Sequence, residues 1–133
     1  MSKNMKKMIT VCALCVLLVS MMVPAAAAST LTSKATVDFG STAVAVGGTK
    51  TLYGVALSGT VKSTTANTSD SVTGKMYTKG AVWTHVQDYD TATNNGSKSL
   101  YWANGSGDTG TFWAQCQAAG KNHSGYCSVS QTT

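Results

Sequence analysis

The sequence predicts an all-β protein: a small antiparallel β-sandwich, or a partly open barrel, of about eight strands behind an N-terminal signal peptide. Three observations carry this. Beyond residue 28 the chain is rich in Thr, Ser, Gly, Val and aromatic residues, which suit pleated surfaces and turns. No window places apolar residues at i, i+3, i+4 and i+7 among good helix formers. Extended runs instead alternate with Gly- and Asn-rich turn signals, a pattern that predicts two apolar-sided sheets packed face to face or one sheet closing on itself.

The first 28 residues read differently. Lys3, Lys6 and Lys7 form a basic start, and Met8 to Val23 is apolar except for Thr10 and Ser20. Pro24 ends the run, and Ala25 to Ala28 offers the small residues that signal peptidase cleaves beside. Residues 29–133 are then one secreted β domain, with no membrane span of their own.

Removing the signal changes the charge argument. The whole chain carries +5. Residues 29–133 keep seven lysines against five aspartates, a net +2, and the chain has no Arg and no Glu. Neither a basic stripe nor the planar guanidinium fork is present to neutralise a row of phosphates. Nucleic acid is therefore excluded as the expected partner. Phe39, Tyr53, Tyr77, Trp83, Tyr89, Tyr101, Trp102, Phe112, Trp113 and Tyr126 are spread along the domain and can seed a core.

The elements follow in order. Residues 34–39 read as a strand broken at Gly40-Ser41, and 42–46 as a second one closed by Gly47-Gly48. Residues 49–63 form one long extended run in which Tyr53, Val55, Leu57 and Val61 share a face by the two-residue period. Gly54 and Gly59 mark bends or bulges within it. Residues 64–71 are a polar loop. Strands are expected at 72–78 and 81–89, split by Lys79-Gly80, then a turn-rich stretch at 91–96 and a strand at 98–103. The loop from Asn104 to Asp108 can take positive φ. The last two strands are 111–118 and 126–131.

Cys12 and Cys15 leave with the signal, so Cys116 and Cys127 remain as a pair and are expected to form a disulfide in an oxidising compartment. Turn residues centred between them suggest a hairpin, with 111–118 antiparallel to 126–131 and the bridge across it.

No catalytic motif stands out. His85 and His123 are the only histidines, and with no Gly-x-Ser-x-Gly elbow both are expected to face solvent. Asp88 and Asp90 share a strand face but read as a solvated pair rather than an acid–base couple. Asp and Asn near 88–95 and 104–108 do not match a regular calcium-loop spacing, and turn chemistry accounts for them. The sequence therefore predicts no metal and no cofactor. Four Asn-x-Ser/Thr matches, at Asn67, Asn95, Asn104 and Asn122, mark surface loops.

The aromatics are the best functional signal. Tyr101 and Trp102 are adjacent, as are Phe112 and Trp113, so each pair must split between two faces. Leu100 shares a side with Trp102, and Ala114 and Cys116 share one with Phe112. Gln115 and Gln117 accompany Trp113 on the wetter side. Trp102 and Phe112 are thus expected in the core, and Tyr101 and Trp113 on a candidate binding face. Cross-strand packing that stiffens a sheet is the plainer role for them. The expected function is non-enzymatic binding of a protein or polysaccharide partner outside the cell or at a cell surface, an antagonistic, bacteriocin-like protein being one form. A self-associating surface or matrix protein joined through sheet edges, and a carbohydrate-binding module, are the alternatives.

Overall fold

The computed structural model describes residues 27–38 and 43–133. The expected signal segment through residue 26, with Cys12 and Cys15, and Phe39 lie outside the described residues. Among the described residues there are nine strands: β1 (Thr30–Val37), β2 (Val44–Val46), β3 (Lys50–Tyr53), β4 (Leu57–Ser63), β5 (Ser71–Lys79), β6 (Thr84–Thr93), β7 (Ser97–Trp102), β8 (Thr109–Ala119) and β9 (Gly125–Thr132). They make two antiparallel sheets, β1-β9-β4-β7 and β2-β8-β5-β6, with β3 also pairing β8. The molecule is a small β-sandwich. Among the described residues no helix is long and apolar enough to cross a membrane.

Alternation builds the core. Val72, Met76 and Thr78 of β5, Phe112, Ala114 and Cys116 of β8, and Cys127 and Val129 of β9 all point inward and are buried. Leu57 and Val61 of β4 and Leu100 of β7 complete the opposing layer. Each strand presents every second side chain to the other sheet, so two half-apolar sheets exclude water only by stacking.

The long run at 49–63 is two strands, not one. Gly54 has φ +75°, a conformation that glycine adopts without steric cost. The chain turns there and leaves the five-stranded sheet, where β3 pairs β8, for the four-stranded sheet, where β4 pairs β9 and β7. The two-residue period restarts after the turn. Leu52 is therefore buried and Tyr53 exposed, while Leu57 and Val61 are buried; the expectation that Tyr53 shares their face is wrong.

The turn expected at 91–96 is shorter than its composition suggested. β6 continues to Thr93, and Asn94 and Asn95 turn the chain with φ of 49° and 58°. The Gly96 N–H closes the turn on the Thr93 carbonyl at 2.7 Å. Two successive positive-φ residues suit the twist of a tight hairpin.

The disulfide forms between the expected cysteines, Cys116 and Cys127, with a Cα–Cα distance of 5.4 Å. The predicted hairpin around it does not exist. β8 pairs β5, β2 and β3, whereas β9 pairs β1 and β4. The bridge joins the two layers through the core, and both cysteines are fully buried. Gly74, level with Cys116 on β5, leaves it room: a Cβ there would stand 2.3 Å from Val61 Cγ2 and 3.0 Å from Cys127 Sγ.

Polar side chains stitch the layers where the ladders stop. Between β2 and β3 the partner of β8 is interrupted, and Ser33 of β1 accepts the Ala114 N–H at 3.0 Å. The Gly47 N–H donates to the Ala114 carbonyl at 2.8 Å, completing that residue's backbone bonds. Buried Gln131 of β9 donates to the Thr51 carbonyl at 2.6 Å and accepts the Tyr53 N–H at 3.2 Å. Asp88 of β6 accepts the Tyr101 N–H of β7 at 2.8 Å. Asp88 is thus no member of a solvated pair; it closes the sandwich edge.

Candidate functional site

The two outward faces differ in chemistry. On the four-stranded sheet, register aligns Thr32, Ser130, Ser58 and Tyr101 in one row and Lys34, Ser128, Thr60 and Ser99 in the next. This face is a carpet of hydroxyls. Lys34 places its ammonium 4.3 Å from the Tyr126 ring centroid, a cation–π contact at the surface.

The outward face of the five-stranded sheet carries valines and aromatics among polar side chains. Val46, Gln115, Lys75 and Tyr89 form one row across β2, β8, β5 and β6. Trp113, Tyr77 and Val86 form the adjacent row. Val44, Val46, Tyr53, Val86 and Tyr89 are exposed on these strands, with Val82 and Trp83 exposed at the tip of the β5–β6 hairpin. Among the described residues, the four-stranded sheet adds only Tyr101 to the large exposed apolar side chains.

Alternation places the adjacent aromatics as the sequence predicts. Phe112 is fully buried, and Trp102 packs against the core. Tyr101 is exposed and Trp113 half-buried on the outward side. The structure does not bring Tyr101 and Trp113 together, because β7 and β8 belong to different sheets. Trp113 instead stacks on Tyr77, with ring centroids 5.3 Å apart and planes 1° from parallel. Such a pair stiffens the cross-strand contact and turns one indole face toward a neighbouring ring.

Sequence reasoning missed Val46, Val86 and Tyr89. The bulge between Met76 and Tyr77 hides the last two: it adds Gln87 to β6 and shifts the register, so Val86 faces Tyr77 and Tyr89 faces Lys75. The exposed alternation of β2 was the available signal for Val46.

The titratable candidates are not gathered into one centre. His85 is exposed, whereas His123 is half-buried rather than solvent-facing, with Nδ1 3.1 Å from the Gly120 carbonyl, to which it donates. Buried Asp70 accepts from Asn67 Nδ2 at 3.1 Å and from the Asn122 N–H at 3.4 Å. Among the described residues no group of three or more His, Cys, Asp or Glu is placed to hold a metal ion.

No family model matches the sequence, and no curated protein matches it significantly. Among solved structures the chain is similar to PirA, at 11% identity over 82% of this chain and 96% of that one, with a TM-score of 0.43. It is similar to the disulfide-linked pili of Bacillus endospore appendages, at 14% identity over 80% of this chain and 91% of that one, with a TM-score of 0.40. A third likeness is to the empty top-component particle of cowpea mosaic virus, at 10% identity over 86% and 90% of the two chains, with a TM-score of 0.35.

Proposed function

We propose that this is a secreted, non-enzymatic binding protein that engages an extracellular or cell-surface partner through the outward face of its five-stranded sheet. The observation that carries the reading is the asymmetry of the two faces. One is hydroxyl-lined; the other exposes Val44, Val46, Val86 and Tyr89 around the Trp113–Tyr77 stack. Exposed apolar side chains gathered on one outward face of a small domain mark a contact surface, and aromatic side chains are the usual anchors of such contacts.

Two further features support the reading. A buried disulfide between layers fits an oxidising compartment. The carboxylates of Asp70 and Asp88 are committed to holding loops and edges, a structural use rather than a chemical one. Assembly through the edges of the four-stranded sheet is less favoured. The β1 edge lies against Gly47, where an added Cβ would meet Ser33 Oγ at 2.5 Å, and on the β7 edge Asp88 takes the Tyr101 N–H.

The test is binding of the purified secreted protein to intact bacterial cells and to isolated cell walls. Saturable binding that is lost in Val46→Ser/Tyr89→Ser, at an unchanged melting temperature, supports the reading. Undiminished binding by that variant contradicts it. Concentration-dependent sedimentation of the native protein, abolished by the same variant, would reassign the face to self-association.

A further inference from the structure

The end of the sandwich beneath the β5–β6 hairpin holds a cleft of about 430 Å³, within the size range of small-ligand sites. Buried Leu52 and Thr78 form its floor, and Trp83, His85, Gln87 and Asp108 stand around it. It is separate from the outward rows on β2, β8, β5 and β6.

Two of its polar groups are positioned by other side chains. Gln87 is the extra residue of the β6 bulge, and its Nε2 donates to Thr78 Oγ1 at 2.7 Å. Asp108 is held by buried Asn104, which has φ +40°. Asn104 Oδ1 accepts the Asp108 N–H at 2.8 Å, and its Nδ2 donates to the Asp108 carbonyl at 3.0 Å and to the Val55 carbonyl at 3.3 Å. These bonds use the Asp108 backbone and leave its carboxylate for another donor. Trp83 is 73% exposed at the rim, an arrangement that costs hydrophobic free energy unless something covers the ring.

The combination selects the ligand chemistry. A sugar ring has an apolar C–H face that packs on an indole, and hydroxyls that donate to a carboxylate or accept from an amide or imidazole N–H. Lys79 and Asp108 are the charged side chains of the lining and offset each other, so the cleft has no excess positive charge to hold an anionic ligand. An apolar ligand would strip water from Asp108, Gln87 and His85 without replacing its hydrogen bonds. We propose that the cleft binds one neutral sugar ring, the end or a branch of a glycan, stacked on Trp83 and hydrogen-bonded by Asp108, Gln87 and His85.

Amide and indole NMR of the secreted protein, titrated with the methyl glycosides of glucose, galactose, mannose and N-acetylglucosamine, tests this. One of the four should shift the Trp83 indole, Gln87 and Asp108 signals saturably. Asp108→Asn keeps the backbone bonds to Asn104 and should weaken that binding about tenfold or more, since bonds to a charged group are the strong ones. Trp83→Ala should do the same, and Tyr89→Ser should leave it unchanged. Absence of saturable shifts with all four glycosides, shifts confined to other residues, or full affinity in a folded Asp108→Asn protein would overturn the proposal.

Discussion

Phe112 and Trp113 are neighbours in sequence with opposite fates, and the difference is measurable. Phe112 is fully buried among core residues of both sheets. Phe112→Ala should cost about 3–5 kcal/mol, read by urea unfolding, because the core closes only partly around the void. Trp113 is half-buried against Tyr77, so Trp113→Ala should cost about 1 kcal/mol or less, the scale of a cross-strand pair. Gly74 gives a complementary test. An added methyl would collide with Val61 and Cys127, and Gly74→Ala should destabilise by roughly 1–3 kcal/mol, as overpacking does. At this scale the sequence was informative: adjacent aromatics must alternate, and their neighbours named the wet side. The role of Gly74 was not legible, because what crowds it, Val61 and Cys127, belongs to the opposite sheet.

At the scale of elements, strand existence was legible and pairing was not. Turn signals such as Gly47-Gly48 and Asn94-Asn95-Gly96 mark where strands end. They do not say which sheet the next strand joins. Gly54 and the segment between β8 and β9 both carry the chain across layers, and each looked like a local bend or hairpin. A separation of 11 positions between Cys116 and Cys127 suits a hairpin bridge and an inter-sheet bridge alike. Asp88 was misread for the same reason, since its acceptor role depends on β7 lying beside β6. The inter-layer bridge still stabilises chiefly by restricting the unfolded chain. Cys116→Ala/Cys127→Ala should lose about 3 kcal/mol and lower the melting temperature by roughly 10–20 °C, with β-type circular dichroism retained. An unchanged melting temperature would show that packing alone holds the layers together.

The whole molecule is a sandwich with two unlike outer surfaces, one of hydroxyls and one of valines and aromatics. Its functional reading rests on that contrast, which no single strand reveals; it appears once register sets Trp113, Tyr77 and Val86 in one row and Val46 and Tyr89 at the ends of the next. Two tyrosines provide matched reporters. Tyr89 on the five-stranded sheet is 67% exposed and Tyr101 on the four-stranded sheet is 64% exposed, so free in solution they should oxidise at similar rates under hydroxyl-radical footprinting. On cell-wall-bound protein, Tyr89 should be strongly protected with Tyr101 unchanged; protection of Tyr101 with Tyr89 still reactive would contradict binding through the five-stranded sheet.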